Sequence, residues 1–313
     1  MRVLVTGAGG FLGANLCKRL QADGHDVVGA TLNRKGHTSL DALGVDVRLE
    51  YGDIQDGAFV ERLVNAYEVD WVFHLAGVSI VRVAAQNPAR ATITNILGTV
   101  NVLEACRRAG HVQAVVVASS DKAYGDWGGV AYTEDMPLKP SGAYEVSKAC
   151  ADMITRCYGQ HHGLRAMVAR CANLYGPGDL HWSRLIPGSC KRAIGGQAPI
   201  VHPSAWDYQR EWLHVNDAVD AYILLAKRGE TGEAYNVGSG QIVSVGQVAS
   251  MIAKALCAPM PERGRRVMPY EIPAQRLDRS KLTEWRWFAG VKLLDGIENT
   301  AQWYRDFLRR GHA

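Results

Sequence analysis

The sequence predicts an α/β protein: a doubly wound parallel sheet followed by a smaller C-terminal lobe. Two observations carry this. Short apolar runs alternate with helical patterns through the first two-thirds of the 313 residues, and the alternation loosens after about Cys171. The runs Arg2-Thr6, Asp26-Ala30, Val45-Glu50, Trp71-Leu75, Ala114-Ala118 and Arg165-Arg170 are short and rich in β-branched residues, as buried strands are. Between them, Phe11-Asp23, Phe59-Ala66, Ile93-Ala109 and Tyr144-His161 repeat apolar residues every three or four positions, the period of a helix with one buried face. A strand, a crossover helix and a parallel strand must wind right-handed, which covers both faces of the sheet. Beyond Cys171, Gly176-Pro177-Gly178, Ile186-Pro187-Gly188 and Ala198 to Trp206 read as loops, and Val215-Lys227 and Val245-Leu256 as helices. The division expected is residues 1–170 for the first domain, with return segments near 210–240, and 171–313 mainly for the second lobe.

Composition narrows the classes. With 47% hydrophobic and 21% charged residues, the chain can bury a sizeable core. A net charge of +4, spread over 35 basic and 31 acidic residues without long same-sign runs, argues against nucleic acid as a partner and leaves room for a small anion. The apolar run at Val3-Val5 stops at Gly7, too short for a signal peptide core or a membrane span, so a cytoplasmic location is expected. Seven cysteines without a Cys-x-x-Cys pair read as reduced thiols, and no metal-ligand spacing is present, so no metal is expected. Chemistry is then left to an organic cofactor or to side chains alone.

Gly7-Ala8-Gly9-Gly10-Phe11-Leu12-Gly13 follows the first strand and opens the first helix. Gly7, Gly10 and Gly13 permit a tight turn, close approach of backbone to a pyrophosphate, and helix-strand packing, with the amides of Phe11 and Leu12 at the helix start facing the anion. Alone, such a motif is also compatible with a simple turn. It gains weight from Gly52-Asp53-Ile54 after the third strand and His74-Leu75-Ala76-Gly77 after the fourth, which complete a Rossmann-like dinucleotide site. Asp53 is placed to accept from an adenine amino group; the alternative is a loop aspartate capping the next helix. The second strand ends Thr31-Leu32-Asn33-Arg34-Lys35, without the acid that usually accepts both ribose hydroxyls of NAD. Thr31, Asn33 and Arg34 are the contacts left there. NAD is the expected cofactor, with NADP open because Arg34 or Lys35 could meet a 2′-phosphate, or could be solvated loop cations.

Tyr144 and Lys148 stand four apart on a helix, hence on one face. An ammonium beside a phenol favours phenolate and so a general base. Such a spacing can arise by chance. Upstream, Ser119-Ser120-Asp121-Lys122 leaves the carboxyl end of the fifth strand, where open α/β sheets bind ligands.

These segments resemble the extended short-chain dehydrogenase/reductases that act as nucleotide-sugar epimerases and dehydratases. The resemblance spans nearly the whole chain: Val5-Thr6-Gly7, Phe73-His74-Leu75-Ala76, Asn95 with Gly98 to Ala105, Tyr144/Lys148, Arg170 to Gly178, Arg210-Glu211-Trp212, Val215-Asn216-Asp217 and Leu277 to Lys281. It implies that Leu75, Ala76, Gly77, Asn95, Tyr144 and Lys148 also touch the cofactor. Ser120 would bind the sugar oxygen beside Tyr144. In the family's 4,6-dehydratases the next two positions hold an acid-base pair, here Asp121 and Lys122. Lys122 departs from the glutamate of dTDP-glucose enzymes and is similar to the lysine of CDP-glucose 4,6-dehydratases, as are Arg184-Leu185-Ile186-Pro187 and Glu271 to Asp278; GDP-mannose dehydratases are of the same type. The alternative for Asp121/Lys122 is a solvent-facing ion pair.

The reaction implied begins with oxidation at C4 of the hexose, Tyr144 as base and Ser120 holding O4. Lys122, neutral, removes the C5 proton, Asp121 protonates the leaving C6 hydroxyl, and hydride returns to C6. Arg210 is the expected diphosphate clamp, with Asn173, Ser79, Arg184 and Leu185 also facing the nucleotide sugar, and His181, Trp182 and His202 either there or packed as loop aromatics. A 4-epimerase is the alternative function, and a silent nucleotide sensor a more distant one. A homodimer is expected through the helices at 93–109 and 144–161, with Ala149, Cys150, Met153 and Ile154 facing outward. The nucleotide is not identified.

Overall fold

A computed structural model describes residues 1–32, 37–265 and 271–311. Seven strands form the main sheet in the order β3-β2-β1-β4-β5-β6-β10, all neighbours parallel. They are β1 (Arg2–Thr6), β2 (Asp26–Thr31), β3 (Arg48–Tyr51), β4 (Trp71–His74), β5 (Ala114–Ser120), β6 (Ala166–Cys171) and β10 (Ala234–Val237). Successive side chains go to opposite faces, so Val3 and Val5 pack on one side with Leu16, Leu20 and Leu225, while Leu4 packs on the other with Leu63, Leu103 and Val115. The order reverses between β1 and β4, and at that switch point the carboxyl ends open a crevice.

The second lobe holds β7 (Asn173–Tyr175), β9 (Gln209–His214) and β11 (Ile242–Ser244) in one sheet, and β8 (Ile200–Val201) paired with β12 (Glu262–Arg263). Helices Leu185–Ile194, Val245–Ala255 and Leu293–Arg309 enclose its core of Tyr175, Ile186, Trp212, Ile252, Ile297 and Tyr304. Helix Val215–Arg228 and β10 return to the main sheet, β10 beside β6.

Three local readings change. Val45 to Val47 lie outside β3, because Gly44 takes a left-handed φ of 63° as the C-cap of helix Ser39–Leu43 and Val45 N–H turns back to Leu40. The segment Ile186-Pro187-Gly188, expected as a loop, lies in helix Leu185–Ile194. Pro187 is its third residue, where no intrahelical acceptor awaits the N–H that proline lacks. The helix expected over 93–109 starts with a π-helical turn, Ile93–Leu97, before Gly98–Ala109. Such turns often sit at functional sites, and this one carries Asn95.

A buried network seats the turn after β5. Arg170 and Asp152, both fully buried, pair bidentately at 2.8 and 2.9 Å. Arg170 also donates to the Tyr124 hydroxyl, which donates to Asn236 Oδ1 on β10 at 2.7 Å. Tyr124 closes the 3-10 turn Asp121–Tyr124, so the network fixes where that turn's side chains emerge.

Candidate active site

The dinucleotide cradle is built by backbone. Gly7 has a φ of 73°, and a Cβ there would lie 2.8 Å from Ala76 N; a Cβ on Gly13 would lie 2.2 Å from Gly7 O. Gly10 caps helix Phe11–Ala22 without a side-chain bond, and no acid occupies the first turn. The amides of Phe11, Leu12 and Gly13 therefore have no intrahelical acceptor and stand at the positive end of the helix. These features fit a pyrophosphate.

Behind the cradle runs a chain of hydrogen bonds whose direction can be deduced. The Thr99 hydroxyl donates to Asn95 O at 2.6 Å and so must accept from His74 Nε2–H at 3.1 Å. His74 Nδ1 then accepts from Thr6 Oγ at 2.8 Å, and Thr6 Oγ accepts the amides of Leu75 and Ala76. Burial pushes His74 down to about 3, helped by nearby Lys148, so the ring is neutral as this chain requires. Asn95 Oδ1 accepts Val78 N–H at 2.7 Å, and its Nδ2 donates to Ser147 Oγ, tying the loop after β4 to the helix Ala143–His161. A Cβ on Gly77 would strike Asn95 Oδ1 at 2.6 Å.

At the adenosine end, Ile54 is buried and Thr31 half-buried. Asp53 Oδ1 accepts Gln55 N–H at 2.9 Å, whereas Asp56 caps the following helix. Asn33 and Arg34 lie outside the described residues.

Ser120, Asp121, Tyr144 and Lys148 come together at the carboxyl end of β5. Lys148 Nζ donates to Ala118 O at 2.8 Å. Ser120 Oγ donates to Asp121 Oδ1 at 3.0 Å and accepts Lys122 N–H. The expectation that the Tyr144 phenol is shifted down is corrected. Burial pushes it up to about 12, Ser120 pulls it down without prevailing, and Asp121 pushes it up further. Desolvation is the largest influence on the phenol, and in the protein alone it prevails. Burial also raises Asp121 against the pull of Lys122, and holds Lys148 down to about 8.

The Lys148 shift has a stability consequence. Its folded pKa lies below the unfolded value near 10.5, so the folded state pays to keep it charged below about pH 8, and stability gains as pH rises from there toward 10.5. Lys148→Met should stabilise the ligand-free protein at pH 7 by at most roughly 3 kcal/mol, for a shift from 10.5 to about 8, and so raise its melting temperature. Parallel thermal melts of both proteins check this: the advantage should shrink as pH rises to 10.5, and a pH-independent difference would contradict it.

Asp121 is 3% exposed, which removes the solvent-facing ion pair, and Lys122 Nζ reaches instead to Gln275 Oε1 at 3.3 Å. Arg210 is buried and near enough to Asp121 to act on its charge; its Nη1 donates to Gln209 O and Pro273 O, and Glu271 lies 3.6 Å from Nη2. Ser79 Oγ accepts from Arg184 at 3.4 Å, and Arg184 pairs with Asp179 at 3.0 Å. Leu185 begins the helix that follows. Asn173, on β7, donates to Glu211 O at 3.4 Å. Trp182 packs on Tyr304 beneath Lys191, and His181 Nδ1 hydrogen-bonds the Ser183 hydroxyl at 2.9 Å. Asp179 and Ser147 were not singled out in the sequence, and Thr6, His74, Thr99 and Gln275 lie in segments quoted there for the resemblance without a role being given to them. Only pairing across distant segments reveals them.

Comparisons with known proteins place the chain in a family. A model of the NAD dependent epimerase/dehydratase family matches residues 3–238. The chain is 35% identical over 246 residues to a dTDP-glucose 4,6-dehydratase of Mycobacterium tuberculosis, covering 76% of this chain and 72% of that one. It is 30% identical over 312 residues to a UDP-glucose 4-epimerase of Mycolicibacterium smegmatis, covering 98% and 99%. The dTDP-glucose 4,6-dehydratase of Streptomyces venezuelae, solved with NAD bound, superposes with a TM-score of 0.91 at 29% identity over 99% of this chain and 98% of that one. The chain belongs to the NAD dependent epimerase/dehydratase family.

Proposed function

We propose that the protein is a nucleotide-sugar 4,6-dehydratase, converting an NDP-hexose to the NDP-4-keto-6-deoxyhexose. The observation that carries this is Asp121: a buried carboxyl held toward its protonated form beside Ser120 and Tyr144, with Oδ2 unpartnered. A 4-epimerase has no use for such an acid. The epimerase reading keeps support from the 30% identical relative, since it draws on the same tyrosine, lysine and NAD.

The glycine cradle, Thr31, Asp53, Ile54 and the 75–77 loop would hold NAD, which when bound supplies the hydride acceptor for C4 and the hydride returned to C6. Tyr144 takes the O4 proton while Ser120 holds that oxygen. The C4 ketone acidifies C5–H. Lys122 takes that proton on its amine nitrogen, the C5–C6 double bond forms, and the C6–O bond breaks. Asp121 gives its proton to the leaving hydroxyl, which departs as water. Asp121 held above the usual carboxylate range is suited to that donation. A proton to C5 completes a redox-neutral cycle. Arg210 and Arg184 would meet the diphosphate, as guanidiniums bind phosphate oxygens well. Residues 1–170 with the return near 210–240 would serve the cofactor, and the rest the sugar nucleotide.

The reading is tested by incubating the protein with CDP-, dTDP-, GDP- and UDP-hexoses and NAD, and following loss of one water by mass spectrometry. Turnover without loss of water from any of them would transfer the assignment to the epimerase.

The active protein is proposed to be a homodimer. Ile93, Leu97, Val146 and Met153 are exposed apolar side chains on the adjoining 93–109 and 143–161 helices, a stripe that a second copy could cover. Ala149 is 1% exposed and packs inside the subunit, so it leaves the expected outer face. Light scattering at micromolar concentration should give twice the subunit mass, and Met153→Glu with Leu97→Glu should give the monomer. A wild-type monomer would overturn this.

A further inference from the structure

Three polar atoms around the Asp121–Lys122 turn are buried without a hydrogen-bond partner: Asp121 Oδ2, Gln275 Nε2 and Arg210 Nη2, the last with only the Glu271 carboxylate 3.6 Å away. Unpaired buried donors and acceptors are costly, and several on one site point to a ligand with hydroxyls. Gln275 is the least expected of them. It is fully buried, on the segment 271–278 that runs beside the start of β9, and the resemblance noted for that segment gave Gln275 no role.

That segment is held rigidly. Gln275 N–H donates to Gln209 O at 3.2 Å, Leu277 N–H to Glu211 Oε2 at 2.7 Å, and Asp278 N–H to Tyr132 O at 2.8 Å. Lys122 Nζ donates to the Gln275 amide oxygen at 3.3 Å, and the amide nitrogen Nε2 is left without a partner. The side chain therefore has one end on Lys122 and a free donor at the other.

We propose that Gln275 is a positioning residue for the elimination step: its Oε1 aims Lys122 at the C5 proton, and its Nε2 donates to a hydroxyl of the same hexose. The proposal rests on the dehydratase reading, in which Lys122 is the base. A lysine has four rotatable bonds and loses much freedom when it is held in one geometry. The turn itself supplies one anchor, Lys122 N–H to Ser120 Oγ, and that constrains only the backbone. Gln275 supplies the anchor at the reacting end, and couples it to the sugar.

The test uses Gln275→Met, which keeps length and removes both functions, and Gln275→Asn, which keeps both functions on a shorter arm. The probe is whichever glucose nucleotide of the CDP, dTDP, GDP and UDP set the wild type dehydrates, prepared with deuterium at C5. In a single turnover with NAD, Gln275→Met should reduce the cofactor at the wild-type rate but lose water on the order of 10²-fold more slowly. Its C5 isotope effect should exceed the wild type's, and KM for the sugar nucleotide should rise. Gln275→Asn should recover part of the elimination rate. Equal loss of oxidation and elimination in a folded Gln275→Met, or a wild-type rate with an unchanged isotope effect, would overturn the proposal while the wild type still loses water. Should Gln275→Met not fold, a Gln275→Asn variant with wild-type elimination and isotope effect would overturn it instead. A wild type that never loses water would overturn the dehydratase reading, and this proposal with it.

Discussion

Tyr144→Phe is expected to lower turnover by ~10²–10⁴-fold, the usual cost of losing a general base, with NAD affinity close to that of the wild type. The ring itself packs with Ala84 and Ala91 against Val78 and Val81, and phenylalanine preserves those contacts, so the fold should be kept. The hydroxyl has another task. Burial pushes it up to about 12 in the protein alone, so its base form is scarce near neutrality. Positive charge brought by the oxidised cofactor would favour phenolate, as an opposite charge near a buried acid does. Wild-type turnover should therefore rise with pH as the phenol yields its proton, and the Phe variant should lose that limb. Rates by product analysis across pH, with NAD binding by calorimetry, check both halves. A Phe variant with wild-type rates would remove Tyr144 from the chemistry.

Lys122→Ala and Asp121→Asn are expected to stop the cycle after the first oxidation, again by ~10²–10⁴-fold, since each loses one proton transfer. Lys122→Ala leaves Ser120, Tyr144 and Lys148 in place, so C4 oxidation should proceed and reduced cofactor should build up in a single turnover, seen by its absorbance. No water is lost. In Asp121→Asn the C5 proton can still come off, so C5 hydrogen should exchange with deuterated solvent while the C6 hydroxyl stays. The Asn amide has no acidic proton to give, whereas burial shifts Asp121 toward its protonated form. Normal conversion by both variants would make the turn a structural contact and favour epimerisation.

Much of the main sheet is legible in the sequence because its strands are buried on both faces and its helices carry one apolar stripe. Arg2–Thr6 is read without error for that reason. Legibility fails where a local signal is ambiguous or absent. Pro187 and Gly188 look like a loop because proline is read as a breaker, yet in the first turn of a helix it costs little. The C-terminal helix Leu293–Arg309 is not among the elements read from sequence, although Ile297, Ala301 and Tyr304 repeat at helical spacing. Within the site, Tyr144, Lys148 and Ser120 are legible because each sits in a local motif. The upward shift of Tyr144 is not, because it depends on how much protein surrounds the phenol rather than on which residue stands four places away. Gln275 is further from reach: 153 positions separate it from Lys122, and only the path of the 271–278 segment beside β9 joins them.

The central claim is that hydride leaves C4 and returns to C6 with loss of water. It is tested most directly by supplying the accepted NDP-hexose with deuterium at C4 and locating that deuterium in the product by NMR and mass spectrometry. The account predicts a product lighter by one water, with the deuterium in its C6 methyl group. Deuterium remaining at C4 of a product that has inverted there and lost no water would contradict it.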